Sequence, residues 1–123
     1  MNQEENNAGT GSVPAPIDLT IAATKVLAIG TLTAKGMPIP DRFPVLLKEV
    51  PATLNLYLKG IIENMFVKPD ASGPVFILNV TTVAEAHEIL EALPFGQVGM
   101  MEFQLIPIGP LSPLRLLLNQ QDK

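Results

Sequence analysis

Apolar and polar positions along the chain follow two different periods. Residues 25–33 (KVLAIGTLT) are mostly β-branched and apolar, which reads as a buried strand. Gly36, Pro38 and Pro40 end it in a loop, after which Asp41 can cap a helix. Leu47, Val50, Leu54, Tyr57, Leu58 and Ile61 then recur at spacings of three and four, one helical face. Pro51 falls inside that pattern and cannot donate an interior helix bond. Either the helix kinks there, or a fresh one begins with Pro51 at its first position. Gly60, directly after Lys59, makes a helix stop.

Residues 61–68 (IIENMFVK) and 75–80 (VFILNV) read as two further strands. Pro69, Asp70, Ser72, Gly73 and Pro74 between them predict a hairpin with a loop longer than two residues. Thr82-Val83-Ala84-Glu85 is a capping box, in which the Thr82 hydroxyl accepts from the Glu85 N–H and Glu85 reaches back. Val83, Ala86, Leu90 and Leu93 line one face of the helix it opens, and Glu85, Glu88 and Glu91 point away. Pro94 closes that region, and residues 98–106 (VGMMEFQLI) form the last strand.

The order strand, helix, strand, strand, helix, strand predicts an α+β, ferredoxin-like βαββαβ domain over residues 17–110. Its four-stranded antiparallel sheet would carry two helices on one face. Both phases of the first strand are apolar, Val26, Ala28 and Leu32 against Leu27 and Ile29. A sheet with one wet face alternates with polar residues, so the bare face is expected to meet a second copy. Residues 1–16 are polar and interrupted by Pro14 and Pro16, and read as a disordered arm. Residues 111–118 are apolar apart from Arg115, so the tail 111–123 is expected to dock on the body or on a partner.

Composition narrows the function classes. The chain has 8 Lys+Arg against 12 Asp+Glu, no Trp and one Tyr. It has neither the basic face that neutralises phosphates nor the aromatic platforms that stack bases, so nucleic acid is not an expected partner. The hydrophobic fraction is 47% with 16% charged, more apolar surface than a small monomer hides, which again favours a homodimer. The apolar runs are too short and broken for a span of about 20 residues. Glu4 and Glu5 open a terminus without an apolar core segment, so no secretory signal is read and the cytoplasm is expected. The absence of Cys excludes disulfides and thiolate metal sites.

Several of these motifs together resemble a known family. Lys59-Gly60 sits at a helix-to-strand junction, and Val83-Ala84-Glu85-Ala86-His87-Glu88-Ile89-Leu90 is a helix with His near its middle. It leads into Leu93-Pro94-Phe95 and a last strand running through Glu102-Phe103 to Ile106-Pro107. Over residues 56–110 this resembles the muconolactone-isomerase-like group of dimeric α+β barrels, and more distantly YCII-like proteins. The resemblance implies two sheets face to face in a dimer, with small-ligand cavities near the sheet. It also implies a double-bond shift in a small unsaturated lactone by proton transfer, with no metal or organic cofactor.

Such a transfer needs an acid and a base tuned toward neutrality. His87, the only His, has the right chemistry. Glu102 and Glu63, carboxylates inside apolar strands, are the other catalytic candidates. Lys25, Lys35 and Arg42 are candidates for holding a substrate carboxylate, and Asn79, a polar residue inside an apolar strand, is a further substrate-binding candidate. Each has a plainer reading: a helix-edge His bonded to a carbonyl, an edge-strand carboxylate facing water, solvated charge at strand ends. No second imidazole or thiolate accompanies His87, so a metal there is not expected. Two functions stand: a cofactor-free isomerase of a small lactone or unsaturated carboxylate, or a non-catalytic ligand-binding or assembly module.

Overall fold

A computed structural model describes residues 18–111 and Leu118. The expected arm at residues 1–16 and most of the 111–123 tail lie outside the described residues. The elements are β1 (Lys25–Leu32), α1 (Ile39–Leu58), β2 (Ile62–Val67), β3 (Pro74–Leu78), α2 (Val83–Glu91), α3 (Pro94–Gln97) and β4 (Met101–Ile108). The four strands form one sheet in the order β2-β3-β1-β4, and every pairing is antiparallel. The fold is therefore α+β, with β1 and β3 inside the sheet and β2 and β4 at its edges.

Register explains the layering. Val26 pairs with Leu78 and Ala28 with Phe76, while Leu105 and Phe103 of β4 stand opposite Ala28 and Gly30. Side chains on one face of a sheet share a phase. This phase meets Ala52 and Leu56 of α1 and Ala86, Ile89 and Leu90 of α2 in the main core. Phe76 and Phe103 stack there with ring centroids 5.9 Å apart. A smaller cluster of Phe95, Met100 and Met101, against Leu32, Val45 and Leu46, closes the end where α3 lies. The other phase, with Leu27, Ile29, Val75, Ile77 and Ile106, is half-buried, and no described element packs over it.

Helix ends follow local chemistry. Thr82 accepts from the Glu85 N–H at 3.1 Å, the first half of the expected capping box. At the end of α1, Gly60 takes φ 81°, the left-handed conformation that glycine adopts without a Cβ penalty. The Ile61 N–H then reaches the Leu56 carbonyl and the Gly60 N–H the Tyr57 carbonyl, a Schellman closure.

Three expectations are corrected. Asp41 is not the cap of α1: the helix starts at Ile39 after Pro38, no side chain caps it, and Asp41 lies in its first turn. Pro40 occupies the opening turn, where a missing N–H costs nothing. The helix also does not restart at Pro51; it runs through both Pro44 and Pro51. Pro94 opens the short helix α3 rather than ending the helical region.

Separately, in the flanking segment, the Asp18 carboxylate accepts from the N–H and the hydroxyl of Thr20. Those bonds hold its carboxyl below the usual range.

Candidate functional site

The apolar stripe expected to pack α1 on the core faces outward. Leu47, Val50, Leu54, Tyr57 and Leu58 are all exposed. The inward face is instead built from Val45, Leu46, Glu49, Ala52, Thr53 and Leu56. At its middle this face carries Glu49 and Thr53 rather than large apolar side chains, and space remains between the helix and the β2–β3 hairpin. The result is a cavity of about 400 Å³. Leu46 and Val50 line it from the helix, Met65, Val67 and Phe76 from the hairpin, and Phe95 and Met101 from the smaller cluster.

Glu49 is on this cavity's wall. It is 7% exposed, the one buried charged residue among the described residues. One carboxylate oxygen, Oε1, accepts from the Phe95 N–H at 2.9 Å. The other, Oε2, accepts from the Thr53 hydroxyl at 3.3 Å. The first bond does for α3 what a capping side chain would do, since Leu93 at its N-cap supplies none. Burial raises the Glu49 carboxyl above its ordinary value of 4.5, and the bonds from Phe95 and Thr53 only partly oppose it. Removing a carboxylate from water disfavours its charged form.

Arg42 lines the same cavity, seven residues before Glu49, two helical turns or about 10 Å along the axis. One guanidinium nitrogen, Nη1, donates to the Gly36 and Met37 carbonyls, which ties the side chain to the loop before α1. A half-buried cation and a buried acid thus share one apolar chamber.

The sequence-predicted candidates fall in three places. Arg42 is in the cavity. His87 and Glu102 line a second depression at the β4 edge, with Glu91, Leu90, Phe103 and Leu105. His87 and Glu102 are both exposed. Lys25, Glu63 and Asn79 join at one corner of the sheet. There the Lys25 ammonium lies 2.7 Å from a Glu63 carboxylate oxygen and donates to the Asn79 side-chain carbonyl at 2.8 Å. Asn79 in turn donates to the Gly60 carbonyl at 2.7 Å. A bulge between Ile62 and Asn64 turns Glu63 toward this corner. Among the described residues no three His, Cys, Asp or Glu side chains gather as a metal would require.

Glu49 is the residue that sequence reasoning missed. Its signal was present: Val45, Ala52 and Leu56 repeat at helical spacing with Glu49 as the one charged member. The larger side chains of the neighbouring stripe outweighed it. Among the described residues no helix is long and apolar enough to cross a membrane. No protein-family model matches the chain, and no curated protein matches it in sequence.

Proposed function

We propose that the cavity between α1 and the β2–β3 hairpin binds a small, largely apolar molecule, and that Glu49 transfers a proton on it without a cofactor. The observation that carries this reading is a buried carboxyl, held above its ordinary range, on the wall of an apolar chamber. A buried carboxyl with a raised value suits general acid–base work. Arg42 offers a carboxylate anchor two turns away. The ligand class is a small unsaturated lactone or acid carrying a carboxylate. Glu49 takes a proton from the carbon beside the double bond. The electron pair delocalises into the carbonyl, and the same carboxyl returns the proton at the conjugate carbon. No atom is gained or lost.

The resemblance to muconolactone-isomerase-like proteins agrees with this chemistry. The strand order and the shared helical face support the ferredoxin-like reading. The apolar second phase of the sheet supports pairing of two copies into a dimeric barrel. A cysteine-free chain suits the cytoplasm.

The test is turnover of unsaturated lactones bearing a carboxylate, followed by ultraviolet absorbance. Glu49→Gln should abolish turnover while binding persists, and Arg42→Gln should raise KM. His87→Ala and Glu102→Gln should leave both constants unchanged. Full activity in Glu49→Gln, or its loss in His87→Ala, would move the chemistry out of the cavity.

A non-catalytic binding module is the second reading. It is favoured by the bonds from Phe95 and Thr53, which already engage both oxygens of Glu49. Binding without turnover across the lactone series would select it.

A further inference from the structure

The outward stripe of α1 serves neither the core nor the cavity's chemistry. We infer that it is a self-association surface on which α1 of a second copy lies antiparallel, centred on Val50. Phe43, Leu47, Val50, Leu54 and Tyr57 follow one another at alternating intervals of four and three along a single helix. That interval is the seam of a left-handed helix pair rather than a generic apolar patch, so the partner is a helix.

The stripe is also self-complementary. About Val50 the spacing reads the same in both directions to within one residue. An antiparallel copy sets Phe43 near Tyr57 and Leu47 near Leu54 of the other chain. Of the charges on or next to the helix, Asp41, Lys48 and Lys59 project from its far side at 100° per residue, and Arg42 and Glu49 face the cavity, so no charge lies in the seam itself. A helix that lies on a lipid surface carries a Lys/Arg-rich polar face, which two lysines beside an aspartate do not make.

The area is sufficient. The five side chains are between 43% and 61% exposed. With Ile39 and Leu58 at the ends, they offer roughly 700 Å² at about 100 Å² each, close to the approximately 800 Å² per partner of a standard interface. Because Val50 and Leu54 also line the cavity mouth, the second copy would close over it. This surface is separate from the bare sheet face, and the inference holds whether or not that face also pairs.

The full chain should be measured by light scattering after size exclusion, from 1 to 100 μM. Wild type should be dimeric or larger. Leu47→Glu, on an exposed position outside the cavity, should weaken self-association at least tenfold with unchanged circular dichroism. Since the chain has no Cys, Val50→Cys should give a disulfide-linked dimer under mild oxidation, as the centre of an antiparallel pair requires. Thr31→Cys on the bare sheet face is its counterpart. A monomeric wild type would overturn the inference. So would association broken by Phe66→Glu on the sheet face but untouched by Leu47→Glu, or cross-linking of Thr31→Cys without Val50→Cys. A monomer that co-sediments with anionic phosphatidylglycerol vesicles would overturn it in favour of a lipid surface.

Discussion

The two long helices lie over the same sheet face but are built on opposite plans. Helix α2, nine residues, is capped by Thr82, buries Ala86 and Leu90, and turns its glutamates to solvent. Helix α1, twenty residues, has no side-chain cap, fully buries only Glu49, and turns its large apolar side chains outward. The first plan is that of a helix whose work is folding. The second spends its inward face on a chamber with an acid, and leaves its hydrophobic stripe for something outside the fold. Apolar periodicity locates a helix, but it does not say which side of that helix meets the core.

The largest expected effect sharpens that contrast. Leu90 is 2% exposed at the centre of the main core, so Leu90→Ala should cost about 2–5 kcal/mol in urea unfolding. A cost under about 1 kcal/mol would mean that α2 does not anchor the fold.

Glu49 comes next. Removing its carboxylate by Glu49→Ala leaves the buried Phe95 N–H without an acceptor, an expected cost of about 1–3 kcal/mol. The isosteric Glu49→Gln keeps an acceptor for that N–H and removes the titration, so it isolates the pH effect. The folded state holds the Glu49 proton more tightly than the unfolded chain does. This contribution to stability is therefore complete below the ordinary carboxylate value of 4.5 and is lost as pH rises through the raised folded value. Unfolding free energy measured from pH 4 to 8 should decline more in wild type than in Glu49→Gln. Parallel curves would place the carboxylate in contact with water.

A smaller effect tests the cap. Thr82→Ala should cost about 1 kcal/mol and fray the first turn of α2, visible as faster amide exchange near Glu85. No change would mean that packing of Ala86 and Leu90 alone holds that end.

Much of the fold was legible because its signals are local. The Thr82 cap, the Gly60 stop and the apolar run of β1 each act over a few residues, and each is present in the structure. The faults arose where a local rule met a tertiary alternative. Pro51 reads as a break, yet α1 continues through it, the proline lying on the exposed side where the unpaired Leu47 carbonyl can meet water. The cavity was illegible for a different reason. It is built from residues far apart in the chain, Leu46 and Glu49 of α1, Met65 and Phe76 of the hairpin, and Phe95 and Met101 beyond it, which meet only once the helix is packed on the sheet. Arg42 could be picked out as a charge near a loop, but Glu49 could not be told from a solvated glutamate until the helix was oriented.

The smallest expected effect bears hardest on the comparison. Leu47 is 61% exposed, and Leu and Gln differ little in helix propensity. In an isolated chain Leu47→Gln should therefore change stability by no more than about 0.5 kcal/mol. A surface buried only on association contributes by mass action, so its worth grows with protein concentration. Unfolding of wild type and Leu47→Gln at 1 and 100 μM separates the cases. If the difference is near zero at the low concentration and widens at the high one, the stripe belongs to assembly, as its outward position on α1 implies. If it is large and equal at both, Leu47 is buried within the single chain, and α1 follows the same plan as α2.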